Sequence, residues 1–171
     1  EVIFASSKDE NRSFLNGVLF NNTDDKIEIV ATDSHRLALK KIDIKKENNI
    51  VMENKFEVII PHRALSELFK LLTFETDKTV EIITSDKQVV FILDSEKGGN
   101  KIRLFSRIIE GQFPDYNQII PNQFKTSVQI STEEFRQRME RIILFVKEDT
   151  NTVKIEIHQF EKYKGENKGE L

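Results

Sequence analysis

Short segments that alternate polar and apolar residues, separated by clusters of turn residues, constrain the fold of this chain more than any other feature. Residues 26–31 (KIEIVA) and 36–42 (RLALKKI) alternate as half-buried antiparallel strands do. Residues 14–20 are also strand-like, residues 21–25 (NNTDD) form a turn cluster, and residues 33–35 (DSH) occupy the second turn. These patterns predict an antiparallel three-stranded meander.

A helix and further strands are predicted after this meander. Residues 56–60 are predicted as a strand and residues 62–72 as a helix, because Pro61 between them suits the start of a helix. The predicted apolar face of the helix consists of Leu65, Leu68, Phe69 and Leu72. More strands are predicted at residues 79–84, 88–94 and 102–105. Together these elements predict an α+β fold.

Two prolines, Pro114 and Pro121, mark an extended connector and a domain boundary. We therefore expect one domain over residues 1–121 and the beginning of a second over residues 122–171. The second is predicted to contain a strand at 127–130, a capping box at 131–134 that opens a helix, and a strand at 152–158. The predicted apolar stripe of that helix is Phe135, Met139, Ile142, Ile143 and Val146. The order of elements suggests an internal repeat whose first copy lacks its opening.

Composition narrows the functional classes. The chain has 171 residues, of which 38% are hydrophobic and 32% charged, and this balance is typical of a globular protein. It has no cysteine, which excludes disulfides and thiolate metal sites and fits the cytoplasm. No apolar run is long enough to span a membrane, and the first residues lack a signal-peptide pattern. Because the chain does not begin with Met, we expect it to be a piece of a longer protein.

One triplet of the sequence, Asp33-Ser34-His35, has residue types that could carry catalytic chemistry. An Asp–His pair could serve acid–base catalysis, but Asp and Ser in a tight turn more often bond to their own backbone. Gly98-Gly99 alone is a weak phosphate-loop signal, and the three histidines (His35, His62 and His158) show no metal-ligand spacing. We therefore predict a protein without catalytic residues, metal or cofactor, with a peptide-binding groove around residues 32–37. An enzyme of nucleic-acid or nucleotide metabolism that uses Asp33 and His35 is the alternative.

Three arginines, Arg136, Arg138 and Arg141, lie off the apolar stripe of the second helix. Such a group is most simply a solvated face. The functional alternative is contact with nucleic-acid phosphates, which positions a protein on DNA without reading its sequence. With a net charge of −3, any basic surface must be local.

Four motifs in order resemble the bacterial DNA polymerase III sliding clamp, the β subunit. They are residues 12–20 (RSFLNGVLF), 30–38 (VATDSHRLA), 58–61 (VIIP) and 111–121 (GQFPDYNQIIP). The resemblance covers residue 1 to about residue 157, and it assigns residues 1–121 to the middle clamp domain and residues 122–171 to the start of the third. A protein–protein adaptor without a connection to DNA is a further alternative.

The resemblance implies a DNA-clamp fold, with antiparallel sheets outside and helices lining the DNA channel. Two chains would close into a homodimeric ring around duplex DNA. Such a clamp is not catalytic and acts in DNA replication as the processivity factor of the DNA polymerase III holoenzyme. Its implied partners are the polymerase α subunit, the clamp loader, and other clamp-binding replication and repair proteins, all in the cytoplasm.

The resemblance also implies site residues. The peptide-binding cleft maps to Leu15, Thr32, Ser34, His35, Arg36, Leu37, Pro114, Gln118 and Ile119. Relatives often have Arg where Gln118 stands, and many have Gly where Ser34 stands. The DNA-touching loop maps to Asp9, Ser13 and Phe14, of which Asp9 is a poor phosphate partner. The implied DNA-facing residues are Ser13, Phe14, Arg138 and Arg141.

Overall fold

The computed structural model describes residues 1–9, 11–23, 25–45, 54–74, 79–94, 101–146 and 152–157. The chain divides into two units, Glu1–Ile119 and Ile120–Leu171. The predicted turn at Gly98-Gly99, His158 and the tail after it lie outside the described residues.

Four antiparallel strands form the first sheet of the first unit, in the order β3-β2-β1-β4. They are β1 (Gly17–Asn22), β2 (Lys26–Thr32), β3 (Leu37–Asp43) and β4 (Glu57–Pro61). The predicted meander is confirmed, except that residues 13–15 form a 3-10 turn and β1 begins at Gly17. An apolar run shows that residues are buried, but it does not distinguish a short helical turn from a strand.

Helix α1 (His62–Phe74) follows Pro61 directly. Leu68 is buried in the core, and Ala64, Leu65 and Leu71 pack against the same core cluster. The predicted apolar face was wrong at Phe69 and at Leu72, which are 70% and 38% exposed. Phe69 follows Leu68 by one residue and is therefore rotated by about 100° away from the core.

The second sheet has three antiparallel strands, β5 (Val80–Thr84), β6 (Gln88–Asp94) and β7 (Lys101–Arg107), in that order. Alternate residues of β6, Val89, Phe91 and Leu93, are fully buried. They form one core cluster with Val58 and Ile60 of β4 and with Leu68 of α1. Both sheets of this unit therefore share a hydrophobic core beneath α1, and the α+β prediction is confirmed.

The two faces of the first sheet have different neighbours. Val18 and Ala31 face the core cluster that includes Val2 and Ala5, with Leu65 of α1 packed against it. The opposite face contains Glu28, Val30 and Thr32 of β2, and the pairing register places Leu19, Ile59, Leu37 and Lys41 on it as well. We call this second surface the Glu28 face.

In the second unit, helix α2 spans Thr132–Ile143. The Ser131 hydroxyl accepts a hydrogen bond from the Glu134 backbone N–H, as the predicted capping box requires. The strands predicted at 127–130 and 152–158 were wrong, since residues 127–130 and 152–157 form no ladder in the described structure. A strand needs a partner strand for its backbone groups, and Val128 and Ile130 remain more than half exposed.

Candidate functional site

The turn between β2 and β3 is closed by side-chain hydrogen bonds to its own backbone. Thr32 Oγ1 donates to the Arg36 carbonyl at 2.8 Å and accepts from the Ser34 N–H at 3.2 Å. Thr32 is buried, and it pairs with Leu37 across the two strands. The side chain of Thr32 therefore braces the turn from beneath.

Asp33 braces the same turn from outside. Its Oδ1 accepts from the backbone N–H groups of His35 and Arg36, both at 3.0 Å, and its Oδ2 accepts from Arg36 Nε at 3.0 Å. The backbone hydrogen bonds of Arg36 and His35 lower the pKa of the Asp33 carboxyl below its usual value. Both carboxylate oxygens thus serve the turn, which is a structural role and gives no support to an Asp33–His35 catalytic pair.

The predicted triplet has an unusual backbone conformation at Ser34, where φ is +78°. Its hydroxyl accepts a hydrogen bond of 3.1 Å from the guanidinium of Arg12. Arg12 thereby connects the loop before β1 to the tip of the turn. Arg12 was not among the predicted site residues, although it opens the first of the four motifs.

A groove of about 450 Å³ lies between this loop and the turn. Its lining residues are Ser6, Ser7, Lys8, Asp9, Arg12, Asp33, His35 and Arg36. Of the residues predicted for the peptide cleft, the groove contains His35 and Arg36. The Arg36 guanidinium also lies 5.8 Å from the centre of the Phe4 ring, within reach of a cation–π contact.

His62, the second histidine of the described chain, has a structural role. His62 Nδ1 lies 2.6 Å from Ser6 Oγ, and that hydroxyl donates to the Ile3 carbonyl at 2.8 Å. The bond therefore ties the start of α1 to the N-terminal turn. Within the described residues, no group of three His, Asp or Glu side chains is arranged to hold a metal ion.

The segment of residues 109–119 crosses the Glu28 face. Ile109 forms a bridge with Ile59, and its side chain lies so close to Gly17 that a Cβ there would be 2.9 Å from Ile109 Cδ1. At the other end of the crossing, Tyr116 reaches Glu28. The segment therefore shares a face of the sheet with Thr32 and Leu37, although it is more than 70 residues away along the chain.

The predicted cleft residues differ in exposure. Leu15 and Thr32 are buried, Leu37 and Pro114 are half-buried, and Ser34, His35, Arg36, Gln118 and Ile119 are exposed. Leu15 and Thr32 are thus suited to form the floor of a peptide-binding cleft, and the exposed residues are suited to form its rim. Phe113 and Tyr116, on either side of Pro114, are buried and hold the segment against the protein.

Asp115 determines what Gln118 offers to a ligand. Asp115 Oδ1 accepts from the Asn117 N–H at 3.1 Å, and Oδ2 accepts from Gln118 Nε2 at 2.8 Å. The bond uses one of the two N–H donors of Gln118, so its second N–H and its carbonyl oxygen remain for other partners. With the Asp115 carboxylate beside that carbonyl, hydrogen-bond acceptors predominate in this part of the rim.

Glu28 is the most buried acidic group near the site, with 5% of its surface exposed. Its carboxylate forms ion pairs with Lys26 Nζ at 2.8 Å and Lys41 Nζ at 3.1 Å. It also accepts a hydrogen bond from the Tyr116 hydroxyl at 2.5 Å. Burial raises the pKa of Glu28, but these hydrogen bonds outweigh burial and lower that pKa to about 2. Burial and the bond to Glu28 raise the pKa of Tyr116 to about 12.

The predicted DNA-facing residues fall in both units. Ser13 is exposed and Phe14 is half-buried in the 3-10 turn of the first unit. Arg138 and Arg141 are exposed on α2 of the second unit. Arg136, on the same helix, is engaged by Glu133 at 2.7 Å and Glu140 at 2.5 Å, whereas no ion pair of Arg138 or Arg141 is found among the described residues.

The comparison with protein families agrees with the motifs. The family model for the DNA polymerase III beta subunit, central domain, matches residues 1–115. The beta sliding clamp of Halalkalibacterium halodurans is 35% identical over 153 residues, which are 90% of this chain and 38% of that relative. The beta sliding clamp of Streptococcus pneumoniae is 36% identical over 159 residues, which are 92% of this chain and 39% of that relative.

Solved structures show the same similarity. The DNA polymerase sliding clamp of Bacillus subtilis superposes with a TM-score of 0.71 at 35% identity, over 86% of this chain and 36% of that one. A sliding clamp of Pseudomonas aeruginosa bound to griselimycin gives a TM-score of 0.67 at 28% identity, over 84% of this chain and 36% of that one. The chain thus spans less than two fifths of the length of these relatives.

Proposed function

This chain belongs to the DNA polymerase III β subunit family, the β sliding clamps, and on that premise we propose that it is part of a clamp that encircles duplex DNA. In this proposal the clamp tethers the replicative polymerase and is not catalytic. Holding the polymerase near the primer end keeps its effective concentration high after each release. Because a closed ring retains DNA topologically, weak and salt-sensitive phosphate contacts are enough.

The observation that carries the proposal is the arrangement on the Glu28 face. A braced turn bearing Ser34, His35 and Arg36 stands at one end of β2 and β3, and the segment 109–119 crosses the same face. Peptide sites combine a small apolar floor with a few fixed polar groups. The buried Leu15 and Thr32 supply the floor, and the half-buried Leu37 and Pro114 add apolar surface beside it. The exposed rim supplies the polar groups.

Within this proposal, the residues 1–121 are the middle domain of the clamp and the residues 122–171 are the beginning of its third domain. The ligands are the tails of the polymerase α subunit, of the clamp loader, and of other replication and repair proteins in the cytoplasm. The whole clamp is a homodimeric ring, in which Ser13, Phe14, Arg138 and Arg141 face DNA. Neither α1 nor α2 is long and apolar enough to cross a bilayer, within the part of the chain that the structure describes.

The test is a titration of the chain with a short peptide that has the pattern Gln, spacer, Leu, Phe, followed by NMR. We expect weak, saturable binding with shifts at Leu37 and Ile119. Leu37→Ala and Pro114→Ala should each weaken binding by at least about threefold, because each removes apolar contact area. Phe105→Ala is the control, since it removes an exposed apolar side chain from the second sheet. An absence of saturable binding would contradict the proposal.

DNA encirclement is tested separately on the complete parent chain. We expect it to remain on closed circular DNA and to slide off once the circle is cut. Release from both forms at the same rate would remove the DNA part of the proposal and leave a peptide-binding adaptor.

A further inference from the structure

The bond between Tyr116 and Glu28 joins the two parts of the candidate peptide site. We propose that Tyr116 is a positioning residue for peptide binding, because its hydroxyl fixes the segment that carries Pro114, Gln118 and Ile119. This inference rests on the proposed peptide-binding function. Neither Tyr116 nor Glu28 lies in the predicted cleft, and their side chains meet across 88 positions of the sequence.

Glu28 is a rigid anchor for such a bond. It lies within β2, flanked by β1 and β3, where it pairs with Asn21 on one side and Lys41 on the other. A buried carboxylate is stable only when it is paired and hydrogen-bonded. Lys26 and Lys41 both bind Oε1, so Oε2 remains for the Tyr116 hydroxyl. Each carboxylate oxygen thus has its own partners, and the direction of the Tyr116 bond is defined.

The segment needs a directional contact of this kind. Between Ile109, which bridges to β4, and the 3-10 turn Tyr116–Gln118, it runs without a strand or helix. Phe113 is buried, but burial of an apolar ring is non-directional and tolerates sliding and rotation. The Tyr116 hydroxyl is bonded at 2.5 Å to one oxygen, which is a charge-assisted geometry that tolerates little displacement.

The positions of the rim residues depend directly on the position of Tyr116. Tyr116 opens the turn that contains Gln118, and the Ile119 N–H donates to the Tyr116 carbonyl at 3.1 Å. Pro114 is two residues before Tyr116. A rotation or shift of Tyr116 therefore displaces all three predicted cleft residues of the segment together. Binding a peptide to a displaced rim first requires the segment to be reordered, which lowers affinity.

The deciding variant is Tyr116→Phe, which removes one oxygen and keeps the buried ring. Glu28 keeps both lysines in this variant, so no unpaired charge is left in the core. We expect the dissociation constant for the Gln–spacer–Leu–Phe peptide to rise by roughly threefold to tenfold. In the peptide-free variant, the side-chain amide signal of Gln118 and the methyl signals of Ile119 should already be shifted.

Three further variants separate positioning from general stability. Val89→Ala lowers stability from the second sheet, where Val89 is fully buried, and should leave the dissociation constant unchanged. Glu28→Gln should also weaken peptide binding, and the double variant Glu28→Gln/Tyr116→Phe should bind no more weakly than Tyr116→Phe alone, because the two residues act as one unit.

The outcomes distinguish the inference from the function on which it rests. If the unmodified chain does not bind the peptide, the proposed function fails and the inference fails with it. If the unmodified chain binds but Tyr116→Phe binds equally well, only the inference is overturned. It is also overturned if Val89→Ala weakens binding as much as Tyr116→Phe does.

Discussion

The Arg12 guanidinium donates a 3.1 Å hydrogen bond to the hydroxyl of Ser34, a residue whose φ is +78°. The contact joins the loop before β1 to the tip of the β2–β3 turn. The backbone of Ser34 lies in the left-handed region, a conformation that costs about 1–2 kcal/mol for residues other than glycine. Ser34 is therefore a position where backbone strain and a site contact coincide.

Replacing Ser34 should reveal this strain. Ser34→Val should lower the free energy of unfolding by about 1–2 kcal/mol, because a β-branched side chain fits the left-handed region poorly and cannot bond to Arg12. Ser34→Gly should stay within about 1 kcal/mol of the unmodified chain, since relief of strain offsets the greater freedom of the unfolded state. Urea unfolding followed by circular dichroism measures both. Equal stability of the Val and Gly variants would argue against strain at this position.

Gly17 should not tolerate a side chain. An added Cβ would lie 2.5 Å from Ile59 Cγ2 and 2.9 Å from the Ile60 carbonyl oxygen, both inside van der Waals contact. Gly17→Ala should therefore destabilise the chain by about 1–3 kcal/mol. Gly17→Ser should cost at least as much. Thermal unfolding of the two variants beside the unmodified chain is the measurement, and an unchanged midpoint for Gly17→Ala would contradict the packing.

The lowered pKa of Glu28 predicts that the chain loses folding stability at acidic pH. Its pKa is about 2 in the folded chain, against an ordinary value of 4.5, so the unfolded chain binds the proton more readily. The stabilisation is complete above pH 4.5 and is lost as the pH falls towards 2, by at most about 3 kcal/mol. Lys26, Lys41 and Tyr116 surround the carboxylate. Free energies of unfolding measured between pH 2 and pH 6 should fall less steeply for Glu28→Gln, and equal slopes would refute this assignment.

The raised pKa of Tyr116 predicts that the chain also loses folding stability at alkaline pH. Its pKa is raised to about 12 from 10.0, so the contribution is complete below pH 10 and is lost as the pH rises towards 12. Tyr116→Phe should remove this component of the alkaline loss of stability. Absorbance titration of the phenolate checks the pKa itself. A Tyr116 phenolate that titrated near pH 10 would disprove the buried bond.

Gln118 should set a charge preference in partner peptides. Because the Asp115 carboxylate lies beside Gln118, this part of the rim disfavours an acidic residue of the peptide nearby. Gln118→Arg should improve the affinity for a peptide with Glu beside its apolar end by about twofold to fivefold. Gln88→Arg adds the same charge at an exposed position of the second sheet and should have little effect. Equal gains for both variants would mean that only net charge matters.

Arg138 and Arg141 should dominate the weak attraction of the second unit to DNA. Each phosphate contact contributes about 0.9 to the slope of log affinity against log salt, so the double Gln variant should reduce that slope by roughly 2. Arg136→Gln is the control, because Glu133 and Glu140 already engage this guanidinium. Fluorescence anisotropy of a labelled duplex measures the slopes. The assignment fails if Arg136→Gln reduces the slope as much as the double variant does.

Local sequence patterns were sufficient to predict much of the secondary structure of the first unit. The alternation in residues 26–31 predicted β2, and Pro61 with the spacing of Leu65 and Leu68 predicted α1. The four motifs were sufficient for the family, because their order and spacing are specific even where each motif alone is not. These features depend on neighbours along the chain, which is why a sequence reveals them.

Sequence periodicity gave wrong predictions where the structure of a segment depends on the residues that pack against it. Residues 127–130 alternate as a strand does, yet they have no ladder partner in the described structure. Phe69 has helical spacing with Leu65, yet it is 70% exposed. Phe14 and Leu15 belong to a predicted strand, yet with Ser13 they form a 3-10 turn. In the first two cases the periodicity is present, but the described residues do not provide the packing that would use it.

The sequence by itself determined the α+β class, the strand and helix order of the first unit, and membership of the clamp family. Only the tertiary structure decided that Arg12 meets Ser34 and that Tyr116 meets Glu28. The physical reason is that period and turn chemistry act over a few residues, whereas these contacts join residues 22 and 88 positions apart. Such pairs form only when sheet register and the crossing of the segment 109–119 bring them together.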